Sequence, residues 1–293
     1  MKTLRITIIL MSALLSYACS SEQKDDIFNV PQDGYTFFEA DFEAVNLEGE
    51  SAGQLWAKGL GIGVFGSAEG YNERYTLKKA FDGKAVGEFY GAKVAGEPIG
   101  AYYPYSEDFI LYDGKLMYSL SPMQSFDGSA SLYGQFMEYA GYSYAFNDND
   151  NKLRFGYASG VLSVEVRLAN VETVTAIELS SQNALAGIGG VGPDMSVSLS
   201  ESGSRKIVLD CGEGISSKNG DGYMKFPIVM SVGTYESVVL TLKLKDKPEV
   251  VANLELFDVV RMEAGDFHVK EIIISNGLDG FEVEGDLEFE PES

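Results

Sequence analysis

Apolar and polar residues alternate with a period of two along most of this chain, and turn-forming clusters interrupt the alternation at short, fairly even intervals. A period of two sends successive side chains to opposite faces of an extended backbone, so each run predicts a strand with one face toward a core. Residues 35–44, 61–65, 161–168 and 174–179 are runs of this kind, and 237–244 and 269–274 are the longest apolar ones. Helical spacing holds over 132–140, where Leu132, Phe136 and Ala140 stand at i, i+4 and i+8. Many short strands and one short helix predict an all-β fold of sandwich type, not an α/β one. The 33 Gly, 17 Tyr and 17 Phe suit that mixture of turns and strands. The sharpest interruption is Asn147-Asp148-Asn149-Asp150-Asn151, five turn formers that cannot readily continue a strand. A boundary just after it gives two β domains, residues 34–151 and 152–293, each of sandwich size.

The first 18 residues read as an address. Lys2 and Arg5 form a positive start, and the apolar stretch from Ile6 to Leu15 is too short to cross ~30 Å of hydrocarbon as a helix. A signal peptide is the reading. Leu15-Ser16-Tyr17-Ala18-Cys19 resembles a bacterial lipoprotein box, with Ser16 where Leu is usual. That resemblance implies cleavage before Cys19, acylation of Cys19 and mooring in outer-membrane lipid, since more than one acyl chain holds stably. Residues 19–33 are polar and read as a flexible tether. Within them Lys24-Asp25-Asp26 resembles the acidic export signal of surface lipoproteins in Bacteroidetes. With Cys19 acylated, Cys211 has no thiol partner and is expected as a small hydrophobe near a strand end.

Charge and composition exclude several functions. The chain carries 22 Lys+Arg against 44 Asp+Glu, a net charge of 22 − 44 = −22. No nucleic-acid partner fits so acidic a chain, because displacing counterions from phosphate needs a basic stripe. One His and two Cys are too few for a zinc site or an iron–sulfur cluster, so no metal and no cofactor are expected. Asn147–Asn151 lacks the EF-hand order of ligands and reads as a solvated turn. Gly187-Ile188-Gly189-Gly190-Val191-Gly192 leads to Pro193 and more strand pattern instead of a helix, so it is not a dinucleotide loop. His268 stands in no catalytic pattern, and no catalytic residue is assigned. The tyrosines between Tyr102 and Tyr144 are expected mainly as core, with sugar stacking as their other use.

Three groups of residues then carry a resemblance. Trp56…Gly59…Ile62-Gly63-Val64-Phe65, Ala101-Tyr102-Tyr103-Pro104-Tyr105 and Leu120…Gln124 are similar to the N-terminal half of fimbrillin-type pilus proteins of Bacteroidetes. Val174…Leu179, Leu185-Ala186-Gly187, Phe226-Pro227-Ile228, Gly233-Thr234-Tyr235 and Arg261…Ile272 follow in that family's order. The resemblance spans roughly residues 35–275. It implies two tandem transthyretin-like β-sandwiches, a lipid-anchored cell-surface protein, and a fimbrial subunit or adhesin that joins other pilus subunits by donor-strand exchange. In the shaft subunits of that family an Arg- or Lys-directed protease cuts after the first strand. Here no Lys or Arg occurs between Lys24 and Lys58, which suits an uncut terminal subunit or a stand-alone adhesin.

The C-terminus has a pattern of its own. Phe281, Val283, Leu287 and Phe289 alternate with Glu282, Glu284, Asp286, Glu288 and Glu290, giving one apolar and one charged face. Burying four such side chains in a neighbour's groove is worth roughly 6–12 kcal/mol gross, and main-chain hydrogen bonds add to it in strand addition. These four are the candidate donor residues. The same segment has two other readings: a strand folded back on its own sheet, or a loose acidic tail. The expected function is therefore non-catalytic assembly or adhesion at the cell surface. A surface glycan-binding lipoprotein of a polysaccharide-uptake system is the alternative.

Overall fold

The computed structural model describes residues 35–284, apart from 44, 48–49, 53–54, 58, 68–71, 147–150, 167–172, 217–223, 246, 263–272 and 278–279. In chain order the strands of the first half are β1 (Tyr35–Phe42), β2 (Val45–Leu47), β3 (Glu50–Ala52), β4 (Gly61–Gly66), β5 (Asn72–Leu77) and β6 (Gly87–Ala92). They continue with β7 (Pro98–Tyr103), β8 (Leu111–Tyr112), β9 (Lys115–Leu120), β10 (Met123–Ser125), β11 (Ser143–Ala145) and β12 (Lys152–Tyr157). Helix α1 (Leu132–Tyr139) lies between β10 and β11. The second half adds β13 (Ser159–Val166), β14 (Thr173–Ser180), β15 (Gly187–Val191), β16 (Val197–Leu199) and β17 (Lys206–Ser216). Last come β18 (Met224–Ser231), β19 (Gly233–Leu244), β20 (Lys247–Met262), β21 (Ile273–Gly277) and β22 (Gly280–Glu284). The fold is all-β, as the alternation predicts, and α1 lies where the helical spacing places it.

Seven strands close on themselves in the order β1-β12-β11-β7-β4-β5-β6. The closing strand is β1, antiparallel to β6 with Phe38 opposite Phe89, and parallel to β12 with Ala40 opposite Leu153. Period-two alternation is the same in an open sheet and in a closed one, so the pattern alone gives no sign of closure. The remaining strands form open sheets: β10-β17-β14-β19-β20, β18-β13-β21-β22 and β16-β15-β9-β8, with β2-β3 as a separate hairpin. Pairing crosses residue 151 four times, two of them through β12, which pairs with β1 and with β11. Tyr118 of β9 stands opposite Gly189 of β15, and Gln124 of β10 opposite Leu209 of β17, in parallel.

Two apolar clusters fill these layers. The barrel interior holds Phe38, Ala40, Trp56, Ile62, Val64, Tyr75, Phe89, Ala101, Tyr103 and Phe155. A larger cluster outside it runs from Phe65, Tyr102 and Tyr118 through Val164, Ile177, Leu209 and Phe226 to Leu242. The wall strands β4 and β7 serve both. Ile62, Val64, Ala101 and Tyr103 face the barrel interior, while Phe65 and Tyr102 join the second cluster. A strand buried on both faces reads as a continuous apolar run, which is why Gly61–Gly66 has no polar phase. Gly63 is required there, because a Cβ at that position would lie 2.0 Å from the Tyr102 ring. Tyr102 in turn stacks on Phe109 with ring centres 3.6 Å apart.

Helix α1 is short but well bounded. The Ser131 hydroxyl accepts the Gly134 N–H at 3.1 Å, and the Ala140 N–H reaches Phe136 O at 2.7 Å. Phe136 is fully buried and meets the Tyr157 ring edge-on. Gln135, also buried, donates to Ser125 O at 3.0 Å and so ties the helix to β10.

Candidate assembly surface

A protein that joins others through strands needs an unpaired strand edge, and the barrel offers none. The closing strand β1 is held to β6 over residues 35–40 and to β12 over residues 39–42. The Trp56 indole N–H donates to Ala40 O at 3.0 Å, and the ring packs against Phe42, Phe89, Tyr103 and Phe155 at centroid distances of 4.3–5.6 Å. The Glu39 N–H reaches Asn151 O at 2.9 Å and the Glu43 N–H reaches Phe155 O at 2.8 Å, extending the parallel ladder to β12 at both ends. Lys78 lies over the Phe37 ring at 4.5 Å and Arg154 lies 3.6 Å from Asp41.

The sheet β18-β13-β21-β22 has two edges of opposite character. At β18 the outward groups of Val229 and Ser231 are already occupied. The Val229 N–H donates to Gln124 Oε1 at 3.0 Å, and Gln124 Nε2 donates to Val229 O at 2.6 Å. One buried side-chain amide thus stands in for a neighbouring strand. Two residues on, the Ser231 N–H and hydroxyl both reach Leu185 O, at 3.2 and 2.7 Å. Two residues back, Pro227 has no N–H to offer. The edge is sealed by an amide, a carbonyl and a proline.

The opposite edge is β22, which pairs antiparallel with β21, Phe281 opposite Asn276 and Val283 opposite Ile274. Two of the four candidate donor residues therefore stand on a strand that completes its own sheet. Leu287 and Phe289 lie outside the described residues, as do Cys19, His268, the signal peptide and the tether. β22 is the last strand in its sheet's order.

The other singled-out residues fall into place around this frame. Tyr102, Tyr103, Tyr118 and Tyr144 are buried, as core residues should be. Burial pushes the Tyr102 hydroxyl up to about 12, against opposing hydrogen bonds with Ser106 and Asn72. Trp56 is buried as well, so it offers sugars no platform. Cys211 is a buried free thiol raised to about 12 by burial and then by the Asp210 charge. It borders a cavity of about 560 Å³ with Asp127, Glu138, Asp210 and Glu213 on its walls. Among the described residues no three His, Cys, Asp or Glu side chains converge as a metal site. The glycines of 187–191 form β15, where a Cβ at Gly189 would meet Ser198 O at 2.2 Å, so they serve close strand packing. The edge-sealing role of Gln124 has one sequence sign, a polar residue in an apolar phase, and that sign does not name its partner.

Comparison with known proteins gives no matching family model and no matching curated protein. Solved structures do match. A candidate cell adhesion protein from Bacteroides ovatus superposes with a TM-score of 0.54 at 14% identity, over 86% of this chain and 96% of that one. The fimbrial anchor protein Mfa2 from Porphyromonas gingivalis matches at 0.46 and 12% identity, over 84% of this chain and 94% of that one. The tip fimbrial protein Mfa3 of the same organism, with its C-terminus truncated, matches at 0.43 and 11%, over 86% and 98%. The fold of this chain is thus similar to that of the Bacteroides ovatus candidate cell adhesion protein.

Proposed function

We propose that this protein is a lipid-anchored fimbrial subunit or adhesin of the outer cell surface, which joins neighbouring subunits by strand complementation and performs no chemistry. One observation carries the reading: a single sheet has its β18 edge sealed by Gln124, Leu185 and Pro227 while its other edge is the amphipathic C-terminal strand. Within that sheet, sealing one edge and leaving the last described strand at the other confines strand exchange to one place. The finer features belong to the same proposal. Cys19 carries the acyl chains. Phe281, Val283, Leu287 and Phe289 are the donor side chains. The molecule is a tandem of two transthyretin-like units divided near residue 151, with β12 from just past that division closing the first ring and β9 and β10 pairing across it. Because β1 is held on both edges and its following loop has no Lys or Arg, the protein serves as an uncut terminal subunit.

Deleting residues 279–293 tests this. Co-expressed subunits should no longer assemble with the variant, while its thermal unfolding stays cooperative. Assembly that continues unchanged would sink the proposal. Sequencing the N-terminus of the protein recovered from cells tests the uncut state: a start at Cys19 supports it, and a start beyond Ala44 overturns it.

A further inference from the structure

The short strand β10 serves two sheets at once. Its main chain ends the five-stranded sheet, parallel to β17 with Met123 opposite Val208 and Ser125 opposite Asp210. The Val208 N–H donates to Pro122 O at 2.8 Å, and the Phe126 N–H donates to Asp210 O at 2.9 Å. Its buried side chain Gln124 meanwhile makes both bonds to Val229 on β18 of the other sheet. The peptide groups of Ser125 are taken by helix α1. The Ser125 N–H donates to the Tyr139 hydroxyl at 2.7 Å, and Gln135 Nε2 donates to Ser125 O at 3.0 Å. Gln135 and Tyr139 stand four residues apart on one helix face, so two side chains do the work of a next strand.

Around these bonds the segment is lightly built. β10 has three residues, Met123 is 58% exposed, and Ser121 and Asp127–Ser129 on either side are exposed. Gly128 has a φ of +83°, a turn conformation that glycine adopts without strain. Phe126 is the apolar anchor, edge-on to Phe226 of β18 with ring centres 6.2 Å apart.

We propose that residues 121–126 form a latch, a strand that releases as one unit and opens the edges of β17 and β18 together. The main chain of β10 cannot leave β17 while the Gln124 amide keeps bonds of 2.6 and 3.0 Å to Val229, so the two attachments are lost in one step. Release bares Val208 and Asp210 on one sheet and Val229 on the other, and bare edges are templates for a further strand. A short edge element opens at less than the cost of global unfolding. This device goes beyond the assembly reading. None of its groups lies in residues 279–293, so the latch and the C-terminal donor strand can fail separately.

Amide hydrogen exchange of the intact chain, read residue by residue by NMR, tests the latch. In dilute urea the Phe126, Val208 and Val229 amides should report one shared opening free energy, smaller than that of β14, which has a strand on both sides. Tyr139→Phe removes the acceptor of the Ser125 N–H and should speed exchange of all three about tenfold, leaving β14 unchanged. Acceleration confined to Ser125 would mean that β10 does not release as a unit. Equal acceleration throughout β14 would mean that it leaves only with the whole fold. Either result overturns the proposal. Should the variant not fold, the wild-type series decides: three unrelated opening free energies, or three equal to that of β14, overturn it as well.

Discussion

The two halves of the molecule solve the strand-edge problem in opposite ways. In the first, seven strands close into a ring, so each strand has a neighbour on both sides. In the second, the sheets are open and their edges are handled one by one: β18 is capped by the Gln124 amide, and β22 is left as the last strand of its sheet. Closure leaves the ring without an edge strand and commits each strand to two partners. An open sheet with one sealed edge keeps a single place where a strand can be added or given away. The difference teaches that association in such a protein is set less by hydrophobicity than by which backbone groups are left unpaired.

Trp56→Ala should break the comparison most severely, costing about 3–5 kcal/mol as a large buried side chain is lost. Urea unfolding measures it, and limited proteolysis should show β1 released first because the Ala40 carbonyl loses its donor. A variant that remains as stable as wild type would mean that ring closure does not depend on this pin. Gln124→Ala should come next, at about 2–3 kcal/mol, since the Val229 N–H and C=O are both left unsatisfied in a buried place. It also reopens the β18 edge, so sedimentation velocity should detect new oligomers. A strictly monomeric variant would show that something besides the amide seals that edge.

Glu178→Gln sharpens the picture of the open five-stranded sheet. Glu178 lies between Lys206 at 2.7 Å and Lys243, and their hydrogen bonds, that from Lys206 first, hold its carboxyl below the usual range. A depressed carboxylate contributes stability above its unfolded pKa and loses it as pH falls through the folded one. The substitution should therefore cost about 1 kcal/mol at neutral pH, and the gap should close in acid, below about pH 4. Denaturant melts at pH 7 and pH 3 check both values, and an equal gap at both would exclude the ion-pair origin. The smallest effect concerns Cys211. Because burial raises its thiol to about 12, thiol reagents at pH 8 should label it only as fast as the protein opens. Fast labelling of the native chain would place the thiol at the surface.

Several elements were legible because local physics dictates them. The alternation in Tyr35–Phe42 and Thr173–Ser180 and the i, i+4, i+8 spacing of Leu132, Phe136 and Ala140 survive in β1, β14 and α1. The Tyr-rich stretch read mainly as core, and Tyr102, Tyr103, Tyr118 and Tyr144 are buried. Closure of the barrel was not legible, since Phe38 and Ala40 alternate identically whether β1 has one neighbour or two. Nor was the seal on β18: Gln124 and Val229 are 105 residues apart, and a polar residue in an apolar phase does not announce its partner.

By itself the sequence determined an acidic, all-β chain with one short helix and an alternating acidic C-terminus, because those properties are sums or short-range periodicities of its residues. Only the tertiary structure decided which strands acquire neighbours on both sides and which edge is sealed. Those depend on pairings between residues tens of positions apart, and each pairing is chosen by the free energy of the assembled sheet and core, not by any local pattern.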